Sequence, residues 1–127
     1  MNFGELKTAI IGRSHRSDLT ALIPEFITLA EAEYNRRTNA NYAIVGDDDL
    51  EGNWLSENAA EVYIFGGLMH LAVYTNDDAG LQKYSALFER ALHQAQYAEA
   101  KESGELDQAM ETDLPISYTS NILQGTP

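Results

Sequence analysis

Residues 62–73, VYIFGGLMHLAV, carry apolar side chains almost all round a helical projection, and a helix of that kind belongs in the middle of a fold. Asn58, with Glu61 three residues on, reads as a capping box that starts it. Val62, Phe65, Leu68, Met69, Ala72 and Val73 then follow at helical spacing. Its longest apolar run, residues 63–74, includes His70 and falls well short of the ~20 residues that a membrane-spanning helix needs. At its centre stands Gly66-Gly67. Each glycine lowers helix propensity by about 1 kcal/mol relative to alanine, so the pair predicts close approach by another backbone or a bulky ring. This is the central, most buried helix.

The other segments are amphipathic and read as its cover. Asn2 and Glu5 form a capping box for a first helix, with Phe3, Leu6, Ile10 and Ile11 on one side and Gly12 as its stop. Ser17, Asp18 and Thr20 signal a second start, and Pro24 suits a first helical turn, where its missing N–H costs little. Ile23, Phe26, Ile27, Ala30 and Tyr34 then make a stripe opposite Glu25, Glu31, Glu33 and Arg36. Residues 38–52 are rich in Asn, Asp and Gly and read as a connector, with a short extended piece at 42–45. Asn76-Asp77-Asp78 caps a last helix, in which Leu81, Tyr84, Leu87, Phe88, Ala91, Leu92, Ala95 and Ala98 repeat at three and four until Gly104. The expected fold is all-α: a four-helix core, with a short N-terminal helix and three longer ones, over residues 1–104, and an extended tail over 105–127. In that tail Leu114, Ile116 and Tyr118 alternate with Pro115, Ser117 and Thr119, a face that a lone segment cannot bury.

Charge narrows the function classes. Five cations and five carboxylates cancel over residues 1–45, while residues 46–127 hold three cations against 15 carboxylates, and the net charge is −12. Tight, sequence-independent binding to nucleic acid needs clustered Lys and Arg, which this chain lacks. No cysteine is present, so disulfides and thiolate metal sites are excluded. Residues 1–15 lack a charged segment followed by an apolar one, and the chain reads as soluble and not secreted by a signal peptide.

No constellation selects chemistry. Asp47-Asp48-Asp49-Leu50-Glu51-Gly52 places oxygens and a glycine as the start of a calcium loop does, but the closing position holds Asn58 and not Glu. A solvated acidic turn is the better reading. His15, His70 and His93 are isolated in sequence; His70 reads as a satisfied core or interface histidine, and His93 as a surface partner of Glu89 at i, i+4. There is no GxSxG, no phosphate-cradling glycine loop and no carboxylate pair set by spacing. The expectation is no enzyme, no cofactor and no metal. Arg36-Arg37 complements a helix C-terminus or meets carboxylates of another subunit, and Trp54 and Tyr63 are either core or interface anchors.

Two segments resemble the head-to-tail adaptor proteins of tailed bacteriophages. The first carries His15, Arg16, Asp18 and Leu19, then Ile23, Pro24, Phe26, Ile27, Leu29, Ala30, Glu31, Ala32, Asn35 and Arg36. The second carries Asn53, Trp54, Leu55, Asn58, Ala59, Tyr63, Gly66, Gly67, Leu68, Asp77 and Asp78. Longer relatives place a mostly β insertion between the second and third helices, where this chain has only the connector at 38–52. The resemblance implies a dodecameric ring that docks under the portal protein, extends the DNA channel without binding DNA tightly, and offers a platform to tail or nozzle proteins below. It implies residence in the virion neck and no membrane contact. It also implies a portal-docking tail, which would use Leu114, Pro115, Ile116, Tyr118, Ile122 and Leu123. On that reading Arg36, Arg37, Trp54 and Tyr63 serve subunit contacts, and Asp47, Asp48 and Asp49 face the channel. The alternative from another class is a small acidic helical module that sequesters a basic partner.

Overall fold

The computed structural model describes residues 1–44 and 48–103. The chain divides into two units, Met1–Ala95 and Gln96–Pro127. Among the described residues there are only helices: α1 Phe3–Ser14, a 3-10 turn Ser17–Leu22, α2 Ile23–Thr38, α3 Trp54–Asn58, α4 Ala60–Tyr74 and α5 Asp78–Ser103. The fold is all-α, as expected. α1, α2, α4 and α5 are the four anticipated helices, and α3 is an additional turn and a half. Of the second unit, residues 96–103 continue α5; the expected tail lies outside the described residues.

Local chemistry accounts for most of the boundaries. Asn2 Oδ1 accepts from Glu5 N–H at 2.9 Å while Glu5 Oε1 accepts from Asn2 N–H at 2.9 Å, closing the box that starts α1. Gly12 does not end that helix. His15 does, in the left-handed region at φ 55°, its N–H donating to Ile11 O at 3.0 Å. Pro24 sits in the first turn of α2, and Asn39 ends it at φ 61°. Asp77 Oδ1 accepts from Gly80 N–H at 3.0 Å and caps α5.

The expected box at Asn58 and Glu61 does not form. Asn53 and Ser56 make it instead, one helix earlier: Asn53 Oδ1 accepts from Ser56 N–H at 2.8 Å and Ser56 Oγ accepts from Asn53 N–H at 2.9 Å. Asn58 falls inside α3, where its amide donates to Trp54 O at 3.0 Å. Ala59 then breaks the helix, and α4 starts without a side-chain cap. The connector forms no strand among its described residues.

Within the first unit α4 is the centre, and its two glycines are the reason its neighbours come close. A Cβ on Gly66 would lie 2.5 Å from Ala30 Cβ of α2 and 3.0 Å from the Phe88 ring of α5. One on Gly67 would lie 2.7 Å from Ile10 Cδ1 of α1. Of the two expected neighbours the bulky ring is present, at Gly66; the other close atoms are side-chain carbons of Ala30 and Ile10, not backbone. Tyr63, Val62, Leu68 and Ile64 are buried around them with Leu6, Ile10, Ile23, Ile27, Tyr34, Phe88 and Leu92. Val73 departs from the expected core: it is 55% exposed, beside Tyr74 at 58%.

Candidate interaction sites

The two segments singled out in the sequence meet inside the fold. Glu31 of α2 is buried, and Tyr63 Oη of α4 donates to its Oε2 at 2.7 Å. Asn53 Nδ2 donates to the same phenol oxygen at 3.0 Å. Asn53 therefore does two jobs, capping α3 with its oxygen and reaching Tyr63 with its nitrogen. Burial pushes the Glu31 carboxyl above its ordinary value, partly opposed by hydrogen bonds from Tyr63 and the Ile44 backbone. Burial likewise pushes the Tyr63 phenol far up. Chemically the cluster is a fastener between α2, α3 and α4. Tyr63 is 0% exposed, which corrects its assignment to a subunit interface: its ring is filled round by the core of its own chain.

The paired arginines close a surface network. Arg37 donates from Nη1 to Glu89 Oε2 at 2.5 Å and from Nη2 to Glu89 Oε1 at 2.9 Å, tying α2 to α5. Glu33 takes both Arg36 and Arg37. His93 approaches Glu89 at 3.9 Å, the expected i, i+4 neighbour. Arg37 thus has a partner within the chain, and Arg36 is the more exposed of the two.

Asn35 holds the connector where it leaves α2. Its Nδ2 donates to Tyr42 O at 2.8 Å and its Oδ1 accepts from Tyr42 N–H at 3.1 Å. Tyr42 then stacks on Trp54, centroids 6.3 Å apart and planes 16° apart, and leans on Tyr34. Trp54 is half-buried and keeps one side at the surface.

Further along, the connector makes a tight turn over the start of α1. Glu51 N–H donates to Asp48 O at 3.0 Å, and Leu50 N–H to Asp48 Oδ1 at 2.9 Å. α1 grips it through Phe3 N–H to Glu51 O at 2.7 Å, Gly4 N–H to Asp49 O at 2.9 Å, and Lys7 Nζ to Asp49 Oδ1 at 2.8 Å. Leu50, 79% exposed, stands on this turn and lines a groove of about 550 Å³ together with Met1, Gly4, Thr8 and Ala9. Asp48 and Asp49 are exposed. Asp47 lies outside the described residues, as do Leu114, Pro115, Ile116, Tyr118, Ile122 and Leu123.

At the other end of α1 is a smaller cleft of about 190 Å³, lined by Arg13, Arg16, Leu68, Leu71, Thr75 and Tyr84 among others. Arg13 lies over the Phe65 ring at 5.6 Å. Arg16 forks onto Asp18 at 3.0 and 2.9 Å and holds that carboxyl below its ordinary value. Among the described residues there is no group of three or more potential metal-binding His, Asp or Glu side chains and no helix long and apolar enough to cross a membrane.

Sequence reasoning missed the Glu31–Tyr63 pair, the Asn35 clamp and the Arg13 cleft. Asn53 with Ser56 three residues later was a readable signal; the others join residues too far apart in the chain to leave one. Compared with protein-family models, curated proteins and solved structures, the chain matches none.

Proposed function

We propose that this chain is a structural head-to-tail adaptor of a phage neck: a subunit of a ring, dodecameric by resemblance, that binds beneath the portal and carries the tail. One observation supports the reading above the rest. The two resembling segments, far apart in sequence, pack on one another through Glu31–Tyr63 and Ala30–Gly66, which supports reading them as parts of one structural unit. Within them the matched residues have structural work: Arg16 and Asp18 pair, Asn35 pins the connector, Asn53 caps α3, and Gly66 and Gly67 admit their neighbours. The net charge of −12 suits a ring through which DNA slides without sticking. On this reading the chain performs no catalysis.

The test is co-purification from the source lysate. The tagged full-length chain is expected to bring down a much larger ring-forming protein, and a chain lacking residues 105–127 to lose it. Retention of that partner without the tail would remove the docking role from the tail. The same net charge favours a second reading, a module that sequesters a basic partner; a one-to-one complex with a small basic protein would select it.

A further inference from the structure

We infer that a cationic strip formed by Arg13, Lys83 and Arg90 receives the acidic segment at residues 105–113 of a neighbouring copy of this chain. The inference rests on the ring reading and names a contact between its subunits.

The cations lead to the strip. The first unit holds seven Lys and Arg side chains. Four rest on carboxylates: Lys7 on Asp49, Arg16 on Asp18, Arg36 on Glu33 and Arg37 on Glu89. The other three, Arg13, Lys83 and Arg90, are exposed and form no ion pair among the described residues. They stay unpaired in a chain with 20 carboxylates against eight Lys and Arg.

These three border one seam. Arg13, near the end of α1, lies over the Phe65 ring of α4 at 5.6 Å. Phe65 also lines a shallow pocket of about 270 Å³ with Leu87 and Arg90 of α5. Earlier on α5, Lys83 lies over the Tyr84 ring at 5.2 Å, and Tyr84 shares its cleft with Arg13. Lys83, Leu87 and Arg90 follow at spacings of four and three and so share one side of α5. Phe65, Tyr84 and Leu87 are half-buried, so the floor between the cations is partly apolar. Two carboxylates stand at its edges: Asp77 is engaged in capping α5, and Glu61 lines the pocket without pairing to Arg90.

The chain itself supplies the complement. Residues 105–113, ELDQAMETD, hold four carboxylates and no cation, with Leu106 and Met110 between them. Carboxylates answer the three cations, and the two apolar side chains answer the half-buried floor. α5 runs on from Arg90 to Ser103, about 20 Å at 1.5 Å per residue, before this segment begins, a length suited to reaching another copy. Exposed ion pairs are individually weak, but copies that each give one segment and receive one add such contacts round an assembly. Segment and strip are different surfaces, so the contact is heterologous and repeats into a ring or a filament. The apolar residues from Leu114 onward lie beyond the docked stretch in sequence and are left for the portal.

Carbodiimide, which joins a lysine amine to a carboxylate in direct contact, tests this on the full-length chain. Light and heavy-isotope chains are mixed, assembled, treated and mapped by mass spectrometry, with the Lys7–Asp49 pair at 2.8 Å as internal standard. The expected product joins Lys83 of one copy to a carboxylate of residues 105–113 of another. Its yield is expected to fall severalfold in an Arg13→Gln/Arg90→Gln chain, in which the Lys7–Asp49 product is unchanged. It should also fall at about 1 M salt, where charges are screened within about 3 Å. A standard product with no Lys83 product, or Lys83 products within single copies alone, would overturn the contact. Duplex DNA that the parent retains and the double variant does not would assign the strip to phosphate and overturn it as well. A many-copy ring without the Lys83 product would overturn it while leaving the adaptor reading standing. The product in a complex that lacks any larger partner would keep the contact and sink the adaptor reading.

Discussion

Glu31 is a carboxyl that the fold buries. Its folded-state pKa is raised by burial, so the folded protein holds a proton that the unfolded chain releases at lower pH. Stability from this group therefore falls as pH rises from the ordinary carboxylate value through the raised one. Replacement Glu31→Gln keeps an acceptor for Tyr63 and removes the charge. Its stability relative to the parent is expected to climb across that window and to level off above it, followed by chemical unfolding from pH 4 upward. A constant difference between the two proteins would contradict the assignment. His70 works on the acid side. Its Nε2 is buried with no partner among the described residues, and burial lowers its pKa, opposed by Glu33. The sequence had suggested a satisfied histidine. With a lowered folded pKa the unfolded chain takes the proton first, so stability declines as pH falls through the ordinary histidine value of about 6.5. Melting temperatures of His70→Leu and parent should separate below that pH in favour of the variant; an unchanged difference from pH 8 to pH 5 would refute the point.

Among the elements, α4 decides how closely the others pack, and its glycines are not equivalent. At Gly66 an added methyl meets Ala30 Cβ and the Phe88 ring, neither of which can step aside without moving a helix. Overpacking of this kind typically costs about 1–3 kcal/mol, against a propensity gain of about 1 kcal/mol from Gly→Ala. At Gly67 the obstacle is the terminal methyl of Ile10, which another rotamer can move. Gly66→Ala is expected to lower stability and Gly67→Ala to leave it near the parent's, measured by denaturant midpoint; equal losses would show that both faces of α4 are clamped. The positions of these helices, and the tight pair at 66–67, were legible because periodicity and glycine placement are local signals. The cap at Asn53 was misplaced to Asn58, since both asparagines precede a polar residue by three. What separates them is non-local: Ser56 is buried and Asn53 reaches Tyr63 ten residues on. Likewise Glu31 and Tyr63 stand 32 positions apart, and nothing in either segment announces the other. Val73 fitted the helical stripe yet is 55% exposed, while Leu71 and Ala72 just before it are buried.

For the whole molecule the informative facts are that the described residues hold no group of three or more potential metal-binding side chains and that the sequence from residue 46 onward is strongly acidic. Such a distribution fits a part that is joined to other parts. The acidic half also sets an expectation for DNA: filter or gel assays at physiological salt should show no retention of duplex by the isolated chain, and retention would contradict the channel reading. The central claim is that this chain is a ring subunit docked on a larger ring. Native mass spectrometry of the tagged chain from its source lysate addresses it most directly. The account predicts one complex holding many copies of the chain together with a ring of a much larger protein; a lone monomer, or a one-to-one complex with a small basic protein, would contradict it.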